Sequence, residues 1–379
     1  MTARRIIPLL PLLVTLCGAQ PETNIVWPLS LTRLGVSSWG SAGTGVAEAG
    51  LPDAPLTNPA ALHTEGIVLY AEGARRFRTE YLFDLALDET DALPAYVCLS
   101  AGAGPFTAAA GYAETYDHRL TSGPVEVTTV ENPDGTGEFF TMENRRRISM
   151  LFGALSYRFS DRLSAGVTVH YNSASLKDKL WHAVGEARGE GWGGTAGILT
   201  QPLNALHIGV SVSFGERITL PYSSAGLVIM TDDTVTGGNG RITAVSVSPQ
   251  LYARLSVIVR AGVMMELTPS LAFLYAVEHT GWAAVSSNGD TYDVSAGVRY
   301  IAAPWLTLRA GLHHHPHPPV PPSTYALVNG QFDQDLFTAG AEVTVINHVR
   351  LSAAVTRCFL STTKDFGQGD VMAGVQYSL

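Results

Sequence analysis

The stretch LFGALSYRFSDRLSAGVTVHY, Leu151–Tyr171, contains two segments of alternating character around a short polar turn. Successive side chains of a β-strand point to opposite faces, so a period of two predicts strands rather than helices. The second segment shows this period most clearly. One face carries Leu163, Ala165, Val167, Val169 and Tyr171, and the other carries Ser164, Gly166, Thr168, His170 and Asn172. The stretch therefore predicts an antiparallel hairpin.

The same unit recurs along the chain, for example in GILTQPLNALHIGVSVSF at 197–214 and in VIVRAGVMMELTPSLAFLYAVEH at 257–279. Short turns alternate with longer polar stretches, which we expect to be loops at about 175–191, 216–255 and 314–333. The segments have about ten residues, the length with which a tilted strand crosses a bilayer. This asymmetry between turns and loops is typical of outer-membrane barrels, whereas a soluble sandwich or propeller does not show it.

The repeated unit predicts an all-β fold, a transmembrane antiparallel β-barrel of about fourteen strands. The final segment alternates up to the carboxyl terminus, with Val371, Val375 and Tyr377 on the expected outward face. It ends in Leu379, where outer-membrane barrels commonly carry an aromatic residue. We expect strands near 66–88, 93–101, 105–117, 145–158, 162–174, 192–200, 205–215, 256–265, 270–279, 292–301, 305–313, 335–345, 349–358 and 369–379.

Residues 1–19 have the form of a secretory signal peptide, with Arg4 and Arg5 ahead of an apolar run that is too short to span a bilayer. Ordinary cleavage after Ala19 and lipoprotein processing at Cys17 both stay open. Residues 20–65 are rich in Gly, Pro and Ala and show no sustained alternation. The sequence therefore predicts three parts, namely the signal peptide, an N-terminal hatch or plug at 20–65 inside the lumen, and the barrel at 66–379.

The composition of the 379-residue chain restricts the class of protein further. It has 46% hydrophobic and 15% charged residues, which is little charge for an exported soluble domain. A formal net charge of −9 argues against nucleic acid as a partner. After Cys17 only Cys98 and Cys358 remain, so this is no disulfide scaffold. Whether these two cysteines pair with each other stays open.

Two short stretches resemble the N-terminal region of the FadL-type outer-membrane transport proteins. They are GSAGTGVAEAG at 40–50 and NPAAL at 58–62, the latter after Asp53-Ala54, and both precede the predicted strands. The resemblance implies a fourteen-stranded barrel whose N-terminal segment plugs the lumen as a hatch. The hatch residues would be Gly43, Gly45, Asn58, Pro59 and Ala60.

The resemblance also implies a function and a location. The family takes up long-chain fatty acids or aromatic hydrocarbons by passive diffusion, and its members lie in the outer membrane of diderm bacteria. Partners would be outer-membrane lipid, the outer-membrane assembly machinery and a hydrophobic ligand, with a fatty acid as the first expectation. The layout is similar also to a secretion-scaffold branch and to spirochaete proteins of this type, so a scaffold or adhesin acting through loops such as 118–143 stays open. A lateral gap near Asn58 would favour transport.

Strand parity predicts which side chains line the lumen. Five arginines and four acids are expected to point inward: Arg158, Arg260, Arg299, Arg309 and Arg350, with Glu266, Glu278, Asp293 and Glu342. Such residues can form a self-neutralising ladder that braces the wall, or they can leave an arginine available to bind a carboxylate with two hydrogen bonds. For the second interpretation the expected ligand-binding residues are Arg158, Arg260 and Arg309, with Phe152, Met264 and Leu274 along the acyl chain.

Other chemistry finds little support in the sequence. Gly43-Thr44-Gly45 has no third glycine in place and no strand before it, as a dinucleotide-binding loop would require. The cluster HHHPHPP at 313–319 can bind a metal in principle, but no carboxylate or cysteine lies beside it, and we expect a proline-stiffened extracellular loop with no metal. No nucleophile elbow occurs. We therefore expect neither an enzyme nor a cofactor.

Overall fold

The computed structural model describes residues 23–25, 34–82, 85–122, 125–126, 137, 139–180, 183–225, 227–230, 242–245, 250–281, 283, 289–316, 334–360 and 367–379. The expected signal peptide, with both of its cleavage alternatives, lies outside the described residues.

Within the described ranges, no helix has both the length and the apolar character needed to cross a membrane.

Among the described residues, fourteen antiparallel strands form one closed barrel, as the alternation predicts. The barrel closes where the last strand pairs with the first, for example at Tyr70 opposite Gln376. Two strands are interrupted by one or two residues, at Gly215 and at Ser256-Val257. The strands are β1 Gly66–Leu82, β2 Leu85–Ala103, β3 Phe106–Ser122, β4 Met142–Ser160, β5 Leu163–Leu180, β6 Ala183–Leu203, β7 Leu206–Phe214 with Glu216–Ala225, β8 Gln250–Leu255 with Ile258–Thr268, β9 Leu271–Thr280, β10 Thr291–Ala303, β11 Leu306–His315, β12 Gln334–Ile346, β13 Val349–Leu360 and β14 Gly367–Ser378.

Two-residue turns join six hairpins at one end of the barrel, at 104–105, 161–162, 204–205, 269–270, 304–305 and 347–348. The first strand begins and the last strand ends at this same end. The expectation of a long loop at 175–191 is wrong, because β5 continues to Leu180, which pairs with Ala183 of β6. The physical reason is burial on the inner side: Ala174, Leu176 and Ala187 are buried there, so the alternation extends further than in a loop.

The two faces of the wall differ as the parity argument predicts. Outward side chains are apolar and exposed, for example Leu151 at 57% and Val167 at 51%. A soluble monomer rarely exposes a continuous apolar belt of this kind, whereas a lipid-facing surface requires one. Cys98 and Cys358 are not joined by a disulfide, so the pairing alternative is wrong.

Residues 34–65, here called the inner segment, fold inside the barrel. The segment contains two short helices, α1 Val36–Gly40 and α2 Ala54–Thr57, and two 3-10 turns, Gly45–Ala47 and Pro59–Ala61. Farther upstream, Thr23–Ile25 pairs in parallel with residues 251–253 of β8. The helices and turns of the inner segment are short, so several of its backbone carbonyls have no hydrogen-bond donor within the segment. Hydroxyl groups of the wall donate to these carbonyls instead. Thr168 donates to Pro55 O at 2.5 Å and Ser211 donates to Thr57 O at 2.6 Å.

The wall is lined with glycine where the inner segment approaches it. A Cβ on Gly197 would lie 2.0 Å from Asn58 Oδ1, and a Cβ on Gly166 would lie 2.4 Å from the carbonyl of Pro59. The backbone of the inner segment therefore packs directly on the backbone of the strands, which only glycine permits. The same close approach occurs at Gly209, Gly297, Gly311 and Gly340.

Candidate functional site

An ion-pair network joins the inner segment to the barrel wall. Glu48 lies between two arginines of neighbouring strands. It accepts hydrogen bonds from Arg309 Nη1 at 2.7 Å and Nη2 at 2.8 Å, and from Arg299 Nη1 at 2.8 Å. Arg309 also donates from Nε to Glu342 at 2.5 Å, and Arg350 lies 3.7 Å from the same carboxylate. Arg299, Arg309, Arg350 and Glu342 thus form a bracing ladder, with an acid of the inner segment at its centre.

The environment of Glu48 favours its charged form. Burial alone would raise its pKa, but Arg309 and then Arg299 outweigh burial and lower the pKa to about 2. Arg299 and Arg309 are directly opposed in the pairing of β10 with β11, and like charges in that position destabilise a sheet unless an anion separates them. Glu48 supplies that anion. The sequence contained a signal for it, because the inward arginines outnumber the inward acids of the strands.

The turn at Asn58 is held by hydrogen bonds on both sides. Asn58 Nδ2 donates to Val46 O at 2.8 Å and to Ile198 O of β6 at 3.2 Å, and Asn58 Oδ1 accepts from the backbone N–H of Ala60 at 3.2 Å. Pro59 follows at the first position of the 3-10 turn, where its missing N–H has no partner to lose. The Asn-Pro-Ala turn is thus held by hydrogen bonds both to the inner segment and to β6 of the wall.

The two glycines of the opening motif have different physical roles. Gly43 has a φ of 78°, which residues with a side chain rarely adopt. Gly45 instead makes room, because a Cβ there would lie 2.7 Å from Ser38 Oγ. Gly43 therefore needs conformational freedom and Gly45 needs space, and neither contributes to a phosphate site.

A second acid of the inner segment has an unusual environment. Asp53 is fully buried, and neither carboxylate oxygen has a hydrogen-bond partner among the described residues. Glu72 of β1 lies near it and accepts from the N–H groups of Gly35 and Val36 and from Tyr70 Oη. Burial, with the Glu72 charge second, raises the pKa of Asp53 to about 7. In the sequence Asp53 stands beside the hatch motif, and no local pattern there signals this environment.

A cavity of about 180 Å³ lies between the inner segment and the wall. Its lining is mixed, with Trp39, Val46 and Leu56 of the inner segment facing strand residues that are partly apolar and partly hydroxyl-bearing. Part of the strand lining is Thr115, Ile148, Met150, His170, Thr195, Ser213, Ile258, Arg260, Ala276, Asp293 and His313.

The residues expected to bind ligand are not brought together. Arg260 lines the cavity and donates to Glu278 at 2.6 Å and to Ser213 at 3.1 Å. Arg309 is occupied by the Glu48 network, and Arg158 is exposed near the turn at 161–162. The three apolar residues are buried in the core between wall and inner segment, and none of them lines this cavity: Phe152, Met264 and Leu274.

The wall is interrupted between β2 and β3. These strands pair from Tyr96 to Ala103 and again at Leu87 and Asp88, but residues 89–95 have no paired residue in β3. Pro94 lacks the N–H that a sheet ladder needs, and β3 has a bulge at Thr115, between Glu114 and Tyr116. Thr115 also lines the cavity. Among the described residues, the pairing of β6 with β7 also lacks partners between Gly194 and Ala187, a few residues from Ile198, to which Asn58 donates.

The histidine cluster lies partly within the barrel. The loop expected to include His313–His315 begins later, because β11 extends to His315 and pairs with both neighbouring strands. His313 and His315 point inward and are buried, whereas His314 points outward and contacts Asp335. A second apolar cluster covers the inner wall beyond the cavity and consists of Ile148, Ala174, Leu176, Ala187, Ile218, Leu220 and Tyr222.

Solved structures of the same architecture cover almost the whole chain. The toluene transporter TbuX of Ralstonia pickettii is similar with a TM-score of 0.71 and 13% sequence identity, over 92% of this chain and 99% of that chain. The toluene transporter TodX of P. putida has a TM-score of 0.69 at 13% identity, over 92% and 99%. A FadL homologue of Pseudomonas aeruginosa has a TM-score of 0.65 at 14% identity, over 91% and 98%.

At these identities the likeness is one of fold, and it confirms the predicted FadL-type barrel architecture. No protein-family model matches the chain, and no curated protein sequence matches it.

Proposed function

We propose that this barrel lies in the outer membrane of a diderm bacterium and takes up hydrophobic molecules by passive diffusion. The observation that carries the proposal is the cavity lined by Trp39. The lining of this cavity also includes Thr115, which lies on β3 beside the interrupted pairing of β2 and β3. A binding cavity next to a weakened wall is what a channel needs to release an apolar molecule sideways. A scaffold acting through its loops has no need of either feature, so we favour transport.

The route begins at the end of the barrel opposite the two-residue turns. An apolar molecule would first contact the cluster around Leu176 and Ile218, which is continuous with the cavity through Ile148. The inner segment blocks the direct path to the other end, because α1 and the turn at Asn58 pack against the wall. We propose that this segment is the hatch, and that its displacement opens the exit between β2 and β3.

The size of the cavity bears on the ligand. An apolar cavity of about 150 Å³ is enough to hold benzene, whereas sites for drug-sized molecules begin at about 300 Å³. A volume of about 180 Å³ therefore suits a compact molecule with one aromatic ring. The names of two structural neighbours, the toluene transporters TbuX and TodX, agree with this class of ligand.

A long-chain fatty acid is the second candidate, and Arg260 is the observation that favours it. Its guanidinium lines the cavity and is about 15% exposed, so a ligand carboxylate could share it with Glu278. The acyl chain would exceed the cavity and extend along the apolar cluster. Arg309 does not serve this purpose, since it is occupied by Glu48 and Glu342.

The proposal can be tested by filling the cavity. Ala276 lines it, so Ala276→Phe should occupy much of its volume. Cells lacking their own uptake channels and expressing this variant should take up labelled toluene no faster than cells without the protein, while the wild-type chain raises uptake severalfold. Ala261→Phe is the matched control, because Ala261 lies on the neighbouring strand and points outward.

Both variants must reach the membrane as folded barrels, which heat-modifiable migration on gels reports. Toluene and oleate are tested in parallel, and the uptake of whichever molecule the wild-type chain transports should be lost in Ala276→Phe. Equal uptake by the wild-type and Ala276→Phe chains, at equal amounts of folded protein, would contradict transport through this cavity.

A further inference from the structure

Two histidines and an aspartate converge on the inner wall of the barrel. His313 and His315 share a face because they are two residues apart on β11, and Asp293 lies on the adjacent strand β10. His315 Nδ1 lies 2.6 Å from Asp293 Oδ2, and His313 Nε2 lies 3.4 Å from the same oxygen. All three side chains are more than nine-tenths buried.

Two buried polar atoms of this group have no hydrogen-bond partner among the described residues. They are His313 Nε2 and Asp293 Oδ1. Leaving buried polar atoms unpaired is unfavourable, so these two atoms point to a bound ligand. Imidazole nitrogen and carboxylate oxygen are both ligands of divalent transition metals.

A neighbouring hydroxyl orients one of the rings. Ser295 Oγ lies 2.7 Å from His313 Nδ1. When Nδ1 carries the proton and donates it to Ser295, Nε2 presents its lone pair toward Asp293. Ligating histidines usually have such a partner on the second nitrogen, which fixes the tautomer and the ring orientation.

We propose that Asp293, His313 and His315 bind one divalent transition-metal ion of the zinc, cobalt, nickel or copper class. In a tetrahedral zinc site with bonds of about 2.0–2.1 Å, neighbouring ligand atoms are about 3.3 Å apart. The separation of His313 from Asp293 matches this spacing. The shorter contact, between His315 Nδ1 and Asp293 Oδ2, is a hydrogen bond. When the ion binds, it replaces the proton of this hydrogen bond. Two imidazoles select against calcium and magnesium, which prefer oxygen ligands.

The surroundings leave one coordination position open. Asp293, Ser295 and His313 also line the cavity described above, so water or a donor atom of a bound molecule can reach the fourth position. Trp39 of the inner segment, which lines the same cavity, contacts the His313 ring edge-on, with ring centroids 5.4 Å apart. The site is thus partly shielded by the inner segment, and it exists whether or not the barrel transports hydrophobic molecules.

The test uses the full chain, purified without a histidine tag and stripped with EDTA. Titration with ZnCl2, followed by calorimetry and elemental analysis, should give one ion per chain. Asp293→Asn, His313→Ala and His315→Ala should each weaken binding by at least tenfold, and Ser295→Ala should weaken it by about tenfold through loss of ring orientation. His314→Ala is the matched control, because this side chain points outward on the same strand and should leave binding unchanged.

A second measurement does not depend on any variant folding. Titration of the wild-type chain with CoCl2 should produce the visible absorption of tetrahedral Co²⁺, and ZnCl2 should abolish it. The proposal fails if the wild-type chain binds less than about a tenth of an equivalent of Zn²⁺. It also fails if folded His313→Ala and His315→Ala chains bind as tightly as the wild-type chain.

Discussion

Arg309 donates two hydrogen bonds to Glu48, from Nη1 at 2.7 Å and from Nη2 at 2.8 Å, and both side chains are buried. One partner belongs to the wall and the other to the inner segment. The pair therefore fixes the segment within the barrel, and any opening of the proposed hatch must break or move it.

Removing the charge of Glu48 should release the inner segment. Glu48→Gln leaves the buried Arg309 and the partly exposed Arg299 opposed without their shared anion, and losing one partner of a buried pair such as Glu48–Arg309 costs about 3–5 kcal/mol. We expect faster hydrogen exchange in residues 36–47 and a higher single-channel conductance in lipid bilayers. Glu65→Gln is the control, since Glu65 is an exposed acid of the same segment. Exchange at the wild-type rate in Glu48→Gln would show that the pair does not hold the segment.

Filling the glycine contact at Asn58 should have a similar local effect. In Gly197→Ala the new Cβ would lie 2.0 Å from Asn58 Oδ1, so the Asn58 side chain must shift, and we expect its hydrogen bonds that hold the turn against β6 to weaken. Hydrogen exchange should then increase in residues 54–62, while heat-modifiable migration still reports a closed barrel. Gly153→Ala is the matched control, because a Cβ at Gly153 has no atom within 4 Å. A Gly197→Ala chain with unchanged exchange would mean that the wall yields instead of the inner segment.

These contacts also show how far the sequence determines the structure. Alternation predicts the strand count and the facing of residues such as Thr168 and Val167, because period two depends only on local geometry. It does not predict that Thr168 is covered by Pro55, since that contact joins residues 113 apart. Thr168 is therefore packed against the inner segment rather than open to water, and cysteine labelling there would not report the parity correctly.

The candidate site was less accessible to sequence reasoning for the same reason. Parity places Asp293 and Arg309 inward. The side chains that contact them come from β11 and from the inner segment, and only the closed barrel brings these side chains close to Asp293 and Arg309. The sequence predicts a loop from about residue 314 because proline follows the histidines, although β11 continues to His315. The hydrogen bonds of β11 with both neighbouring strands outweigh the tendency of the following proline to end the strand earlier.

The stability of the inner segment should depend on pH through Asp53. Its pKa is raised from an unfolded value of 3.8 to about 7, so the stability it contributes is fully present below pH 3.8 and is lost as the pH rises through 7. The difference is on the order of 4 kcal/mol. Hydrogen exchange in residues 51–62, measured at pH 5 and pH 8 and corrected for the intrinsic rate, should be faster at pH 8.

Asp53→Asn should remove this dependence, because the amide does not ionise and has nearly the same volume. Glu48 does not interfere in this range: its lowered pKa means that the stability it contributes is present above pH 4.5 and is lost only as the pH falls through about 2. A pH dependence that persists in Asp53→Asn would assign the effect to another group.

Arg260 should distinguish the two candidate ligands. A carboxylate bound by its guanidinium gains a charge-assisted hydrogen bond of about 1.5–3 kcal/mol, so Arg260→Ala should weaken oleate binding by about tenfold or more. Toluene has no charge to bind, and its affinity should change by less than about threefold. Calorimetric titration of the purified barrel with each ligand gives both values. Arg158→Ala is the control, because Arg158 is exposed outside the cavity.

Weaker oleate binding in Arg260→Ala alone would favour the fatty acid, whereas tight toluene binding that neither substitution changes would favour the aromatic hydrocarbon. If both substitutions weakened oleate equally, Arg260 would have no special role and the carboxylate would bind elsewhere.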